Sequence, residues 1–213
     1  DINRLKEILV LDRQWVTYPD YNDRAGWDRF LGTFKDEYIR RGEKRLNYQW
    51  QVVKATDYLA FERTGNRQIM EKPFGANNGA IADLLMAELA EGKGRFVDQL
   101  INGVFNACEM TSWALAAHII VQPSHRALPA YDYPVIDLTS GDLGGLLAWT
   151  YHFMRPSFDK VDPEISRRLR HELQTRILDP YMNNDSFWWM GRNYNGRMPV
   201  SYTHLTLPTT SRV

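Results

Sequence analysis

Apolar positions recur at helical spacing along almost the whole chain. Trp27, Phe30, Leu31, Phe34 and Tyr38 fall at i, i+3, i+4, i+7 and i+11, the stripe of one amphipathic helix. Leu46, Trp50 and Val53 open a second helix, which Gly65 can stop in a left-handed conformation. Ile81, Leu84, Leu85 and Leu89 mark a third, ended by Gly92-Lys93-Gly94. A fourth is expected from about Arg95 through Phe96, Leu100, Val104 and Cys108, running on into Trp113 and His118. The stretch from Gln122 to Thr139, with prolines at 123, 129 and 134, breaks the pattern and reads as irregular.

Beyond that stretch, Ser140 can cap a helix carrying Leu143, Leu146, Leu147 and Phe153, with a stop expected at Arg155-Pro156. Asp162-Pro163-Glu164 is a helix start: an N-cap acceptor, proline at the first helical position, then an acid at the positive end of the dipole. Ile165, Leu169, Leu173 and Ile177 follow in steps of four, and Asp179-Pro180 is expected to close the element. No hairpin signal competes with these. The fold class is all-α. Consecutive helices joined by short turns, without a strict repeat, predict an incomplete α/α toroid of paired antiparallel helices.

Composition narrows the function. The 213 residues suffice for one cored domain or part of a larger one. A net charge of zero leaves no electrostatic footprint for nucleic acid or an anionic membrane. No apolar run reaches the length of a bilayer crossing, and the chain holds no signal-peptide pattern. It starts at Asp1, inside an expected helix, which fits either a removed leader or a start within a longer protein. Cys108 is the only cysteine, which excludes an internal disulfide and a multi-cysteine metal site. Seven Trp, eleven Tyr and nine Phe suit stacking on sugar rings, and equally the filling of a helical core.

The richest chemistry lies in residues 183–197. Phe187, Trp188, Trp189 and Tyr194 stand there among four Asn, Arg192, Arg197 and two glycines. Rings can stack on a ligand's C–H or π face, while amides and guanidinium forks bond its hydroxyls and carboxylates. A buried Trp pair under a loop is the plainer alternative. In Cys108-Glu109-Met110-Thr111-Ser112-Trp113, a continued helix would put Glu109 and Trp113 on one face, where a carboxylate beside an indole can hold a sugar. His118 would point nearly the opposite way. The plainer reading there is an acid paired with arginine next to a core Trp. His118, His125, His152 and His171 match no zinc spacing, Tyr131-Asp132-Tyr133 offers phenols to a cleft, and no nucleophile elbow, P-loop or dinucleotide fingerprint occurs. Metal-free sugar chemistry or binding survives, with no cofactor.

From Ser201 the chain changes character. Its last thirteen residues carry one charge, Arg212, and four threonines. They read as a translated adapter, so 1–200 is taken as a partial α/α-toroid domain and 201–213 as a non-native read-through tail. The natural protein is expected to continue past Val200 with a different sequence. His204 is recruited to no site.

Taken together, Cys108-Glu109-Met110-Thr111-Ser112-Trp113 with His118, the helix from Asp162 to Ile177, and Phe187-Trp188-Trp189-Met190-Gly191 resemble the N-terminal α/α-toroid part of heparinase II/III-like polysaccharide lyases, over roughly residues 10 to 200. That resemblance implies β-elimination on uronic-acid polysaccharides of glycosaminoglycan type. An Asn or His neutralises the uronate carboxylate, a Tyr or His takes the C5 proton, and a β-sandwich following the toroid completes the cleft. It also implies a periplasmic or secreted setting. The family's neutralising segment would fall where the foreign tail begins. The catalytic residues are therefore expected beyond Val200, none is carried over, and the chain as given is expected to be inactive. Glu109, Trp113, Trp188, Trp189 and Arg192 are carried over as substrate contacts. Two alternatives stand beside it: a glycoside hydrolase of the same architecture, with Glu109 and Asp185 as its carboxylates, and a non-catalytic carbohydrate-binding helical module.

Overall fold

The computed structural model describes residues 2–8 and 16–184, together with Phe187 and Trp189. Every regular element among the described residues is helical: α1 (Ile2–Ile8), α2 (Arg24–Leu31), α3 (Lys35–Glu43), α4 (Ala55–Thr64), α5 (Gln68–Glu91), α6 (Val97–Cys108), α7 (Ala116–Ile119), α8 (Leu138–Val161), α9 (Pro163–Leu173) and α10 (Asp179–Asn183). The protein is all-α, as its periodicity requires. The boundary expected between Val200 and Ser201 lies outside the described residues, and so does the tail expected after it.

The stripe beginning at Trp27 does not run along one rod. Asp23 caps α2 by accepting from the Gly26 amide at 2.8 Å, and Gly32 ends it at φ 51°, a conformation open to glycine at little cost. A 3₁₀ turn, Gly32–Phe34, then leads into α3. The change of direction separates the stripe: Trp27 and Leu31 are buried, whereas Phe30 and Phe34 are 54% and 67% exposed.

The second helix also starts later than its apolar spacing predicts. Residues 48–54 are not helical, because side chains of other helices satisfy their backbone. Asn77, buried in α5, donates to the Gln51 carbonyl at 2.7 Å and accepts from the Gln51 amide at 3.0 Å, an amide acting as a strand partner. Gln99 of α6 donates to the Leu46 and Tyr48 carbonyls at 3.1 and 2.9 Å and accepts from the Trp50 indole. The stop at Gly65 stands, with φ 69°.

α5 is the central rod, packed by α2, α3, α4 and α6, while α8 packs on α9 and α6 links the two groups. Gly42 of α3 lies so close to α5 that a methyl there would overlap Ala87. At the far end of α5, buried Glu88 accepts from Tyr21 Oη at 2.7 Å and from the Gly94 and Phe96 amides at 2.8 and 3.2 Å, closing the turn into α6.

Three further boundaries differ from expectation. The cap of α8 is Asp137 rather than Ser140, which sits at the third helical position and completes a capping box. Pro156 does not stop α8, which continues to Val161. Asp162 caps α9 as expected, yet Asp179-Pro180 does not close it: a π-helical turn, Gln174–Leu178, carries the chain into α10. Pro180 has no N–H for the carbonyl four residues back, and its ring crowds that position. Widening the preceding turn, with the Asp179 amide reaching the Gln174 carbonyl, accommodates both.

Candidate functional site

The turn after α6 builds the first wall of a cleft. α6 ends at Cys108, so the helix expected to reach Trp113 and His118 is interrupted by an irregular segment, 109–115. Four contacts hold this segment. The Trp113 indole donates to the Ala107 carbonyl at 2.8 Å, Tyr58 Oη donates to the Ser112 carbonyl at 2.9 Å, Arg176 Nη2 donates to the Cys108 carbonyl at 3.0 Å, and the Arg176 guanidinium lies over the Trp113 ring at 5.3 Å.

The second wall is the proline-bearing loop, of which residues 129–131 and 133–135 line the cleft. Its end is anchored by Trp189, whose indole donates to the Ile136 carbonyl at 2.8 Å. Trp189 is stacked on Phe187 at 5.4 Å and lies parallel to Tyr181 at 6.3 Å. The third wall is the end of α9 and the π turn, through Glu172, Thr175, Arg176 and Ile177. Together they enclose about 400 Å³ of open concavity.

Its electrostatics are set by one acid and two arginines. Glu172 is buried and accepts from Arg168 Nε at 2.8 Å and Arg176 Nε at 2.5 Å. It is the one carboxylate lining the cleft among the described residues. Tyr58 is pushed up to about 12 by burial, so it keeps its proton at neutral pH and serves as a strut. Burial likewise raises the Cys108 thiol to about 12, with the Glu172 charge adding to it, which removes Cys108 as a nucleophile. Tyr131 is fully exposed at the rim and Tyr133 half-buried beside it.

The expected contact residues fall in different places. Trp113 lines the cleft but is only 2% exposed, with its N–H used and one face under Arg176, so it offers no open platform for stacking. Trp189 is buried beneath the loop and supports the wall from behind. Glu109 is exposed at the end of α6 and does not line the cleft; with the helix ended at Cys108, it shares no helix face with Trp113. Trp188, Arg192 and Asp185 lie outside the described residues. So do Val200 and everything after it, the direction in which the catalytic residues are expected.

Sequence reasoning missed a second constellation. His118 Nδ1 lies 2.6 Å from Asp137 Oδ2, across nineteen residues. Asp137 is wholly buried and also accepts from the Leu115 amide at 3.0 Å, the Ser140 amide and hydroxyl at 2.8 Å, and the Thr139 hydroxyl at 2.8 and 2.9 Å. Burial alone would raise its carboxyl; the hydrogen bonds from His118, Leu115 and Ser140 outweigh it and hold the group below the usual carboxylate range. An Asp three residues before Ser140 was the legible signal, since it fits a capping box.

Among the described residues, no cluster of three or more His, Cys, Asp or Glu is placed to hold a metal ion, and no helix is long and apolar enough to cross a membrane. No family model matches this chain, and no curated protein sequence matches it either.

Proposed function

We propose that this chain carries part of the helical domain of a polysaccharide lyase that cleaves uronic-acid-containing chains by β-elimination, and that the cleft walled by residues 111–113, 129–135 and 172–177 contacts the acidic sugar. The observation carrying this reading is that Arg176, Trp113, Tyr131 and Tyr133 line one open concavity. Arg176 spends Nε on Glu172 and bonds two carbonyls through Nη1 and Nη2, leaving further N–H groups for a carboxylate. The phenols can stack on or bond to sugar rings. A closed toroid, a β-sandwich partner that replaces the tail after Val200 in the parent protein, and a periplasmic or secreted setting follow from the family resemblance and belong to the same proposal.

A hydrolase needs two carboxylates across the scissile bond. In this cleft Glu172 is engaged by two arginines, Glu109 does not line the walls and Asp185 lies outside the described residues, so the carboxylate pair named for a hydrolase is not assembled among the described residues.

The test is a titration of the chain with uronate oligosaccharides and with neutral oligosaccharides of equal length, followed by tryptophan fluorescence. Binding is expected for the acidic set only. Tyr131→Ala, at a fully exposed position, should weaken it roughly three- to tenfold, as loss of one aromatic contact does. Equal binding of neutral sugars, or none of either, would overturn the reading. In the parent protein, release of products absorbing as C4–C5 unsaturated uronates separates elimination from hydrolysis.

A further inference from the structure

A carboxylate that is wholly buried and still ionised needs a reason to be there, and capping α8 accounts for only part of Asp137. Its Oδ1 serves the helix start through the Ser140 amide and hydroxyl. Its Oδ2 faces the other way, toward the Leu115 amide and the His118 ring. Those bonds fix the imidazole in position and in tautomer. Oδ2 can only accept, so His118 Nδ1 must carry a proton, and in the neutral imidazole the lone pair is then on Nε2.

No hydrogen bond to Nε2 is formed within the described residues, and the His118 side chain is 25% exposed. We infer that His118 and Asp137 form a general-base dyad in which Nε2 accepts a proton from a weakly acidic O–H or C–H of a bound ligand. The proton moves to Nε2, and the electron pair of the broken bond stays on the ligand atom. The imidazolium so formed keeps its Nδ1–H on Asp137, which remains a carboxylate throughout. Structural capping by itself would not require a histidine with an open Nε2.

Leu115 and Thr139, which both bond Asp137, line a groove of about 250 Å³ together with Glu71, Asn78 and Asp142, so open space adjoins the residues that hold the pair, although His118 is not itself among the groove's walls. The inference does not depend on the lyase reading, because it concerns an atom's protonation and reactivity and not a product.

Long-range ¹H–¹⁵N correlation on the labelled chain at mildly alkaline pH, with the His118 signals assigned by their loss in His118→Gln, tests the first half. The Nδ1–H tautomer is expected; the Nε2–H tautomer would overturn the dyad. Asp137→Asn, if folded by circular dichroism, should switch His118 to the Nε2–H form, and the wild-type tautomer decides the matter if that variant does not fold. Diethyl pyrocarbonate, followed by peptide mapping, tests the second half. Acylation of His118 is expected within about tenfold of the rate at exposed His125, as an accessible imidazole lone pair requires. A rate further behind than that would reduce the pair to a structural cap and overturn the proposal.

Discussion

The guanidinium of Arg176 lies 5.3 Å over the ring of Trp113 while its Nε holds buried Glu172 at 2.5 Å. One side chain therefore joins α9, the π turn and the irregular segment after α6. Its Nη2 bond to the Cys108 carbonyl also satisfies one of the groups that the end of α6 leaves open.

Arg176→Gln should destabilise the chain by about 1–3 kcal/mol, because a charge-assisted bond is lost beside a buried acceptor that Arg168 still partly neutralises. Urea denaturation measures the change. Hydrogen exchange should accelerate first at 109–115. A loss confined to α10 instead would contradict the bracing role.

Asp137 fixes the acid limb of stability. Its folded carboxyl lies below its unfolded value, so its contribution is complete above the ordinary carboxylate range and is lost as pH falls through the folded value. Asp137→Asn is expected to lower Tm at pH 7 and to show a smaller further drop between pH 5 and pH 2 (about the span over which a paired carboxylate titrates) than the wild type. Parallel Tm profiles for the two proteins would count against it.

Tyr58 governs part of the alkaline limb. Its folded value, pushed up to about 12 by burial, stands above the 10.0 of an ordinary phenol, so stability is complete below pH 10 and falls as pH rises toward 12. Tyr58→Phe removes the bond to the Ser112 carbonyl, costing about 1 kcal/mol near neutrality. It should also flatten the loss above pH 10. Thermal melts across that range read both effects.

Gly42→Ala should destabilise by about 1–3 kcal/mol, since its methyl would meet Ala87 across the α3–α5 contact. Gly42→Ala combined with Ala87→Gly should recover part of that loss. Equilibrium unfolding of the single and double variants checks the coupling.

Which of these features are legible in the sequence follows their range. The stops at Gly65 and Gly92 and the start at Asp162-Pro163 are readable, because cap geometry is decided within a few residues. The delayed start of α4 is not, because the backbone at Gln51 is satisfied by Asn77 from another helix. Pro156 and Pro180 mislead as well: α8, packed on α9, carries Pro156 within it, and a widened π turn makes room for Pro180.

The cleft shows the same division. Residue type singles out Trp113, but its burial and its Arg176 cover come from an element some sixty residues away. An assumed continuous helix sets His118 against Glu109, whereas its true partner is Asp137. Periodicity and caps in the sequence determined that this protein is all-α, since backbone hydrogen bonding in a helix is local. Which side chains meet in the cleft, and which nitrogen of His118 is left open, was decided only when α6, α8 and α9 packed together, because burial and hydrogen-bond partners are properties of the assembled chain.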